Sequence, residues 1–316
     1  MSKQVRFRID FEMEVLSMDE ATHQAQIVLR PRSDRYEWRT VDGKRMLYDK
    51  LDDLLFPESV VEEFAKGLHG VPVGFETSDQ DVWNFEEYIS TRVPEIEKRA
   101  RGQVGSAYFA DKSADFLESL FVNKLEFAIL SIDIKDSSVL SNKLEAEVYQ
   151  KLVDTFTFEV GGLVPKFHGH VLKYLGDGLI AYFPAPSFIV KNDLAMECAL
   201  AMRKLVYLGL DPVFSKIGLP TIDIRIGLDS GEAYVRAIGN PAAKRHLDII
   251  GEVVNLATKV QSISDVGGIA LGDETYRSLH TSWRHLCAEL KLPDNWKYKD
   301  SDGKPYKVFK VQFKPI

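Results

Sequence analysis

Two largely apolar runs of strand length, LEFAILSIDI from Leu125 and LIAYF from Leu179, constrain this chain more than any other feature. A strand that is apolar at nearly every position is buried on both faces, so it belongs inside a sheet that helices cover. Such helices are legible nearby. One is predicted over residues 142–160, and NDLAMECALAMRKLVYLG repeats apolar residues at three- and four-residue spacing. HVLKYL and LIAYF are separated by Gly176, Asp177 and Gly178, a tight hairpin signal. TIDIRIGLDSG reads as a further strand, and LDIIGEVVNLATKVQSIS as a strand feeding a helix. The order strand, helix, hairpin, helix, strand, strand, helix specifies an α+β fold with helices packed on a sheet.

The N-terminal part is written differently. Val5, Phe7, Ile9, Phe11, Met13 and Val15 recur with period two; with SMDEATH as turn and AQIVLRPR as partner they predict a hairpin over residues 4–32. A short helix is expected in PESVVEEFAKGL. A second helix, residues 84–101, has to kink or restart at Pro94, and RGQVGSAYFADKSAD reads as a loop. The chain is therefore expected to divide into a small N-terminal α+β extension, residues 1–120, and a larger domain, residues 121–316.

With 316 residues and 45% hydrophobic content, the chain can bury one substantial core and a second, smaller one. Its formal charge of −7 argues against nucleic acid or an anionic membrane as a general partner, while leaving room for a local basic pocket that takes a phosphorylated small molecule. MSKQVRFRIDFEMEV lacks the continuous apolar core of a signal peptide, and no run approaches membrane-spanning length. Cys198 and Cys287 lie far apart without metal-ligand spacing, which argues against a disulfide framework or a zinc site. A cytoplasmic protein is expected.

Asp133 and Asp177 stand 44 residues apart, one where a buried strand stops and one at a hairpin tip. If those strands are neighbours, both carboxylates reach one point and can bind two divalent ions, an arrangement that neutralises a triphosphate and activates an oxygen nucleophile. Either aspartate alone is read equally well as a turn residue, because aspartate favours turns.

Four motifs in one order narrow the choice: SIDIKDSS around Asp133, LKYLGDGLIAYF around Asp177, RIGLDSGEAYVRAIG from Arg225 and HLDIIGEVVNLATKVQ from His246. With them, the stretch from about Leu125 to Gln312 resembles the class III adenylate/guanylate cyclase catalytic domain, which implies a ferredoxin-like palm. The resemblance implies that Asp133 and Asp177 bind two Mg2+ or Mn2+ ions, with the backbone carbonyl of Ile134 as a further ligand. It gives Lys173 and Asp248 the reading of the base. A lysine donor beside a carboxylate acceptor suits the ring nitrogen and exocyclic amine of adenine, whereas guanine presents the reversed pattern. Asn255 matches the residue that orients the ribose, and Lys259 a position normally held by a phosphate-contacting arginine. WKYKDSDGKPYKVFKV resembles the closing strand pair, in which Lys297 or Lys299 meets the terminal phosphates. Each site is implied to be composite, with metal aspartates from one subunit and Lys173, Asp248, Asn255 and Lys259 from the other, so a homodimer follows.

Two departures stand out. Lysine at 259 keeps the charge but not the planar fork of arginine. After the first aspartate the family usually has glycine, phenylalanine and threonine, where this chain has Asp136, Ser137 and Ser138. An extra carboxylate there is unfavourable beside a triphosphate unless it turns away or meets a metal, and the wall of the base pocket loses an aromatic. A smaller, more polar wall also suits a pyrimidine, as in the uridylate and cytidylate cyclases of the Pycsar anti-phage system, which make cUMP or cCMP. A third reading is a cyclase relic that binds nucleotide without turnover. Residues 1–120 could serve as a sensor, a dimer clamp or a structural addition, and because they carry no ligand-like cluster one of the last two is expected.

Overall fold

A computed structural model describes residues 9–19, 24–67, 85–103, 112–121, 124–184, 188–240 and 242–313. It divides into two compact units, Met1–Val82 and Trp83–Ile316.

In the first unit, β1 (Phe11–Asp19) pairs antiparallel with β2 (Gln24–Pro31). A separate three-stranded sheet runs β3 (Tyr36–Val41), β4 (Lys44–Asp49), β5 (Leu54–Pro57) and leads into helix α1 (Glu58–Gly67). The hairpin and short helix match the sequence pattern, with β1 beginning later than Val5 and residues 1–8 and 20–23 outside the described residues. A small core of Ile9, Tyr36, Leu47, Phe56 and Val61 forms there. Beside it lies a buried ion network: the Arg35 guanidinium donates to Asp10 at 3.1 Å, Asp49 at 2.7 Å and Asp52 at 2.9 Å. Burial alone would lower the guanidinium pKa, but the hydrogen bonds it donates to Asp49 and the surrounding charges more than offset it and hold Arg35 protonated.

The second unit begins with helix α2 (Phe85–Ala100), which continues across Pro94. Ile89 and Ile96 flank the proline and are both buried in the main core, and with this packing the segment stays one helix and does not restart at Pro94. Arg92 adds two hydrogen bonds to Glu159, at 3.0 and 2.6 Å. The larger unit therefore starts well before residue 121. Helix α3 (Lys112–Ser119) occupies part of the expected loop, with Leu117 buried.

The remaining elements are β6 (Lys124–Ile134), α4 (Ser137–Lys143), α5 (Ala146–Leu163), β7 (His170–Tyr174), β8 (Gly178–Phe183), α6 (Phe188–Leu205), α7 (Asp211–Lys216), β9 (Ile224–Asn240), β10 (Lys244–Ile250), α8 (Glu252–Ser262), β11 (Ile269–Gly272), α9 (Asp273–Ser278), α10 (Thr281–Arg284), β12 (Cys287–Glu289) and β13 (Val308–Val311). They form an eight-stranded sheet in the order β12-β13-β11-β9-β6-β8-β7, with β10 paired to the far half of β9. As the two apolar runs required, β6 and β8 lie side by side inside the sheet, and alternate residues of β6 serve two cores. Ala128, Leu130, Ile132 and Ile134 face the main core with α5 and α6, whereas Phe127 and Ile129 face a second one with Val253, Val254 and Ala257 of α8. Two expectations shift. The KDSSVL turn is largely helix α4, and the strand pair at the C-terminal end is β12 with β13, while the WKYKDSDG run holds only the isolated bridge Lys299–Pro305.

Candidate active site

Asp133 and Asp177 meet because β6 and β8 are hydrogen-bonded neighbours, with Asp133 opposite Gly178. The turn between β7 and β8 is tight. Gly176 takes φ 84°, a left-handed conformation that a residue with Cβ avoids, and the Ile134 N–H donates to the Asp177 carbonyl at 3.1 Å. Burial pushes the Asp133 carboxyl up to about 6, and the facing Asp177 adds to the shift, while a hydrogen bond from Gln261 and the positive charge of Arg225 pull it back. Among the described residues no group of three or more His, Cys, Asp or Glu side chains is poised around a metal.

The two residues expected to read the base are also brought together. Lys173 on β7 and Asp248 on β10 are 75 residues apart in sequence, and the Lys173 ammonium donates to the Asp248 carboxylate at 2.5 Å. Asp248 is further fixed by accepting the Ile249 N–H at 2.9 Å. Asn255 and Lys259 are both exposed on α8, and neither side chain is hydrogen-bonded among the described residues. Lys297 and Lys299 are exposed too, and the structure does not join them to either centre. Asp136 begins α4 in the left-handed region, at φ 55°, where a glycine would be unstrained, and its carboxylate pairs with Lys135 instead of projecting bare into the site.

Two residues of this centre carried no role in the sequence. Arg225 lies directly opposite Asp133 in the β6–β9 register and donates to the Ser262 carbonyl at 3.2 Å, while its buried Nε has no partner. Gln261 donates from Nε2 to Asp133 Oδ1 at 2.6 Å and is 5% exposed. A signal for Gln261 did exist. Helical spacing puts it on the stripe of Val253, Val254 and Ala257, so it is a polar side chain at a core-facing position.

An α+β palm with carboxylates at adjoining strand ends and a helix laid over them has the architecture of the class III cyclase domains. Residues 123–294, more than half of the chain, match the family described as adenylate and guanylate cyclase catalytic domain, and the chain belongs to that family. It is similar in fold to the adenylyl cyclase CyaB from P. aeruginosa, with a TM-score of 0.53 and 24% identity over 62% of this chain and 98% of that one. An adenylate cyclase of Anabaena cylindrica is 24% identical over 242 residues, which is 74% of this chain and 43% of that protein. A uridylate cyclase of Rhodovulum sp. (strain MB263) is 23% identical over 148 residues, or 45% of this chain and 60% of that protein. The chain thus spans less than half the length of the Anabaena relative. Among the described residues no helix is long and apolar enough to cross a membrane.

Proposed function

We propose that the chain converts a nucleoside triphosphate to a 3′,5′-cyclic nucleotide and pyrophosphate, and that its substrate is ATP. The observation that carries the reaction is the facing pair Asp133 and Asp177, two partly desolvated carboxylates on neighbouring strand ends with a neutral amide as the contacting donor. Hard oxygen donors of that kind fit Mg2+ or Mn2+, and the two side chains with the Ile134 carbonyl would hold two such ions. Bound there, the ions make the ribose 3′-hydroxyl more acidic, polarise the α-phosphate and stabilise the departing pyrophosphate. The 3′ oxygen bonds to the α-phosphorus as the bond from that phosphorus to the bridging oxygen of pyrophosphate breaks, and the hydroxyl proton leaves to solvent. Arg225, opposite Asp133 with an unpartnered Nε, adds positive charge where the triphosphate lies.

The 2.5 Å Lys173–Asp248 contact supports adenine. Adenine exchanges their mutual bond for one donor and one acceptor contact, so neither the Lys173 ammonium nor the buried Asp248 carboxylate is left unpaired. Asn255 orients the ribose, Lys259 approaches the phosphates as a point charge, and Lys297 or Lys299 meets the terminal phosphates in a homodimer with composite sites. A second reading, a uridylate or cytidylate cyclase acting in anti-phage defence, is favoured by Asp136, Ser137 and Ser138 in place of glycine and an aromatic, and by the likeness to the Rhodovulum uridylate cyclase.

Incubating the purified protein with Mn2+ and each of ATP, GTP, CTP and UTP, with products resolved by mass, separates these readings. Cyclic AMP as the main product is expected. Cyclic UMP or CMP moves the assignment to the second reading, and no product from any of the four overturns the cyclase reaction.

A further inference from the structure

The contact between Gln261 and Asp133 joins residues 128 positions apart and needs an unusually close approach of α8 to the sheet. That approach is made at Gly227 of β9, where a Cβ would lie 2.2 Å from the Gln261 backbone nitrogen and 2.5 Å from the Ala257 carbonyl oxygen. Any side chain at 227 would lift the helix away from the strand, so glycine there sets the height of α8 above Asp133. On the helix, Val253, Val254, Ala257 and Val260 pack into the sheet, which leaves the Gln261 backbone no freedom to retreat. Its amide, buried at 5% exposure, has one donor aimed at one oxygen of Asp133, and the other carboxylate oxygen is left for a ligand.

We propose that Gln261 is a positioning residue for the metal centre: by donating to Oδ1 of Asp133 it locks that carboxylate so that Oδ2 faces Asp177. The inference rests on the reading of Asp133 and Asp177 as the metal carboxylates. An amide suits this task better than the other donors available. Lysine or arginine at 261 would bring a full positive charge into contact with Asp133 and compete with a cation, whereas glutamine orients the carboxylate and leaves its charge to the metal. Gln261 touches neither substrate nor the reacting atoms. Loss of its bond therefore weakens metal binding without removing a chemical group from the reaction.

The test uses the full chain and three variants: Gln261→Met, which keeps length and loses the donor; Gln261→Asn, which keeps the amide on a shorter arm and substitutes if the Met variant does not fold; and Asp133→Asn. Mn2+ binding is measured directly by the electron paramagnetic resonance of free Mn2+, with thermal melts confirming the fold and turnover of ATP titrated against Mn2+. On the scale typical of groups that orient a metal ligand, Gln261→Met weakens Mn2+ binding about 10–100-fold. Its kcat at saturating Mn2+ stays within about threefold of the parent chain, on the physical ground that no reacting group is lost. Unchanged Mn2+ affinity in the folded Gln261 variants, alongside lost Mn2+ binding in Asp133→Asn, overturns the proposal and leaves the metal assignment standing. Undiminished Mn2+ binding in Asp133→Asn overturns the metal assignment itself.

Discussion

Buried charge is handled in opposite ways in the two units. In the first, Arg35 sits among Asp10, Asp49 and Asp52, and the cation makes a direct bond to every carboxylate of the group. In the second, Asp133 and Asp177 face each other, Gln261 contributes only a neutral donor, and Arg225 donates to the Ser262 carbonyl rather than to a carboxylate. The first arrangement closes on itself and has a structural purpose, since a buried ion is tolerated only when paired. The second keeps two like charges close together and leaves their neutralisation to something that binds. What separates the two is self-sufficiency, not the number of acidic residues: the first network supplies its own counter-charge and the second does not.

The contrast breaks most visibly if Asp177→Asn keeps its activity. Replacing that carboxylate is expected to reduce cyclic nucleotide formation on the order of 10³-fold or more while the melting profile stays that of the parent chain, because the change relieves repulsion with Asp133. Arg35→Ala should do the reverse. It strands buried carboxylates and destabilises the first unit by about 3–5 kcal/mol, read by urea unfolding. Should Arg35→Ala be silent, the closed network has no structural weight.

A pH-dependent effect, small at any one step of pH, sharpens the comparison through a third carboxylate. Asp229 in β9 is completely buried, accepts from the Tyr306 hydroxyl at 2.8 Å, and burial pushes its pKa up to about 8. The folded state then holds a proton that the unfolded chain releases above about 4. Stability at this position is greatest below that lower value, falls as pH rises, and levels off above about 8, with a slope of at most about 1.4 kcal/mol per pH unit. Asp229→Asn carries no ionisable group, so its stability relative to the parent should improve steadily between pH 5 and 8 in thermal or chemical unfolding. A difference that does not change with pH would mean that Asp229 is charged in the folded protein.

The parts of the molecule that were legible in the sequence are those fixed by short-range pattern. Runs such as LEFAILSIDI and the Gly176–Gly178 turn announced β6, the β7–β8 hairpin and with them the two aspartates. That helix α2 belongs with the second unit is not legible locally, because the burial of Ile89 and Ile96 depends on partners that lie far along the chain. Helix α3 was hidden for a similar reason: its short amphipathic turn of Phe116, Leu117 and Leu120 has meaning only against the second core. The helical position of Gln261 is legible in the sequence, but its contact with Asp133 is not, because that contact forms only where Gly227 lets α8 come down onto β9.

Strand β9 has a further bearing on how the molecule opens. Its first half pairs with β6 beside the carboxylates, and its second half pairs with β10 beside Asp248, with no bulge between them over 17 residues. Backbone amides at both ends belong to one continuous ladder, so neither end can fray inward without loosening the other. Deuterium uptake along β6, β9 and β10 should accordingly proceed as one slow cooperative block, with the exposed lysine-rich run near residue 300 exchanging far earlier.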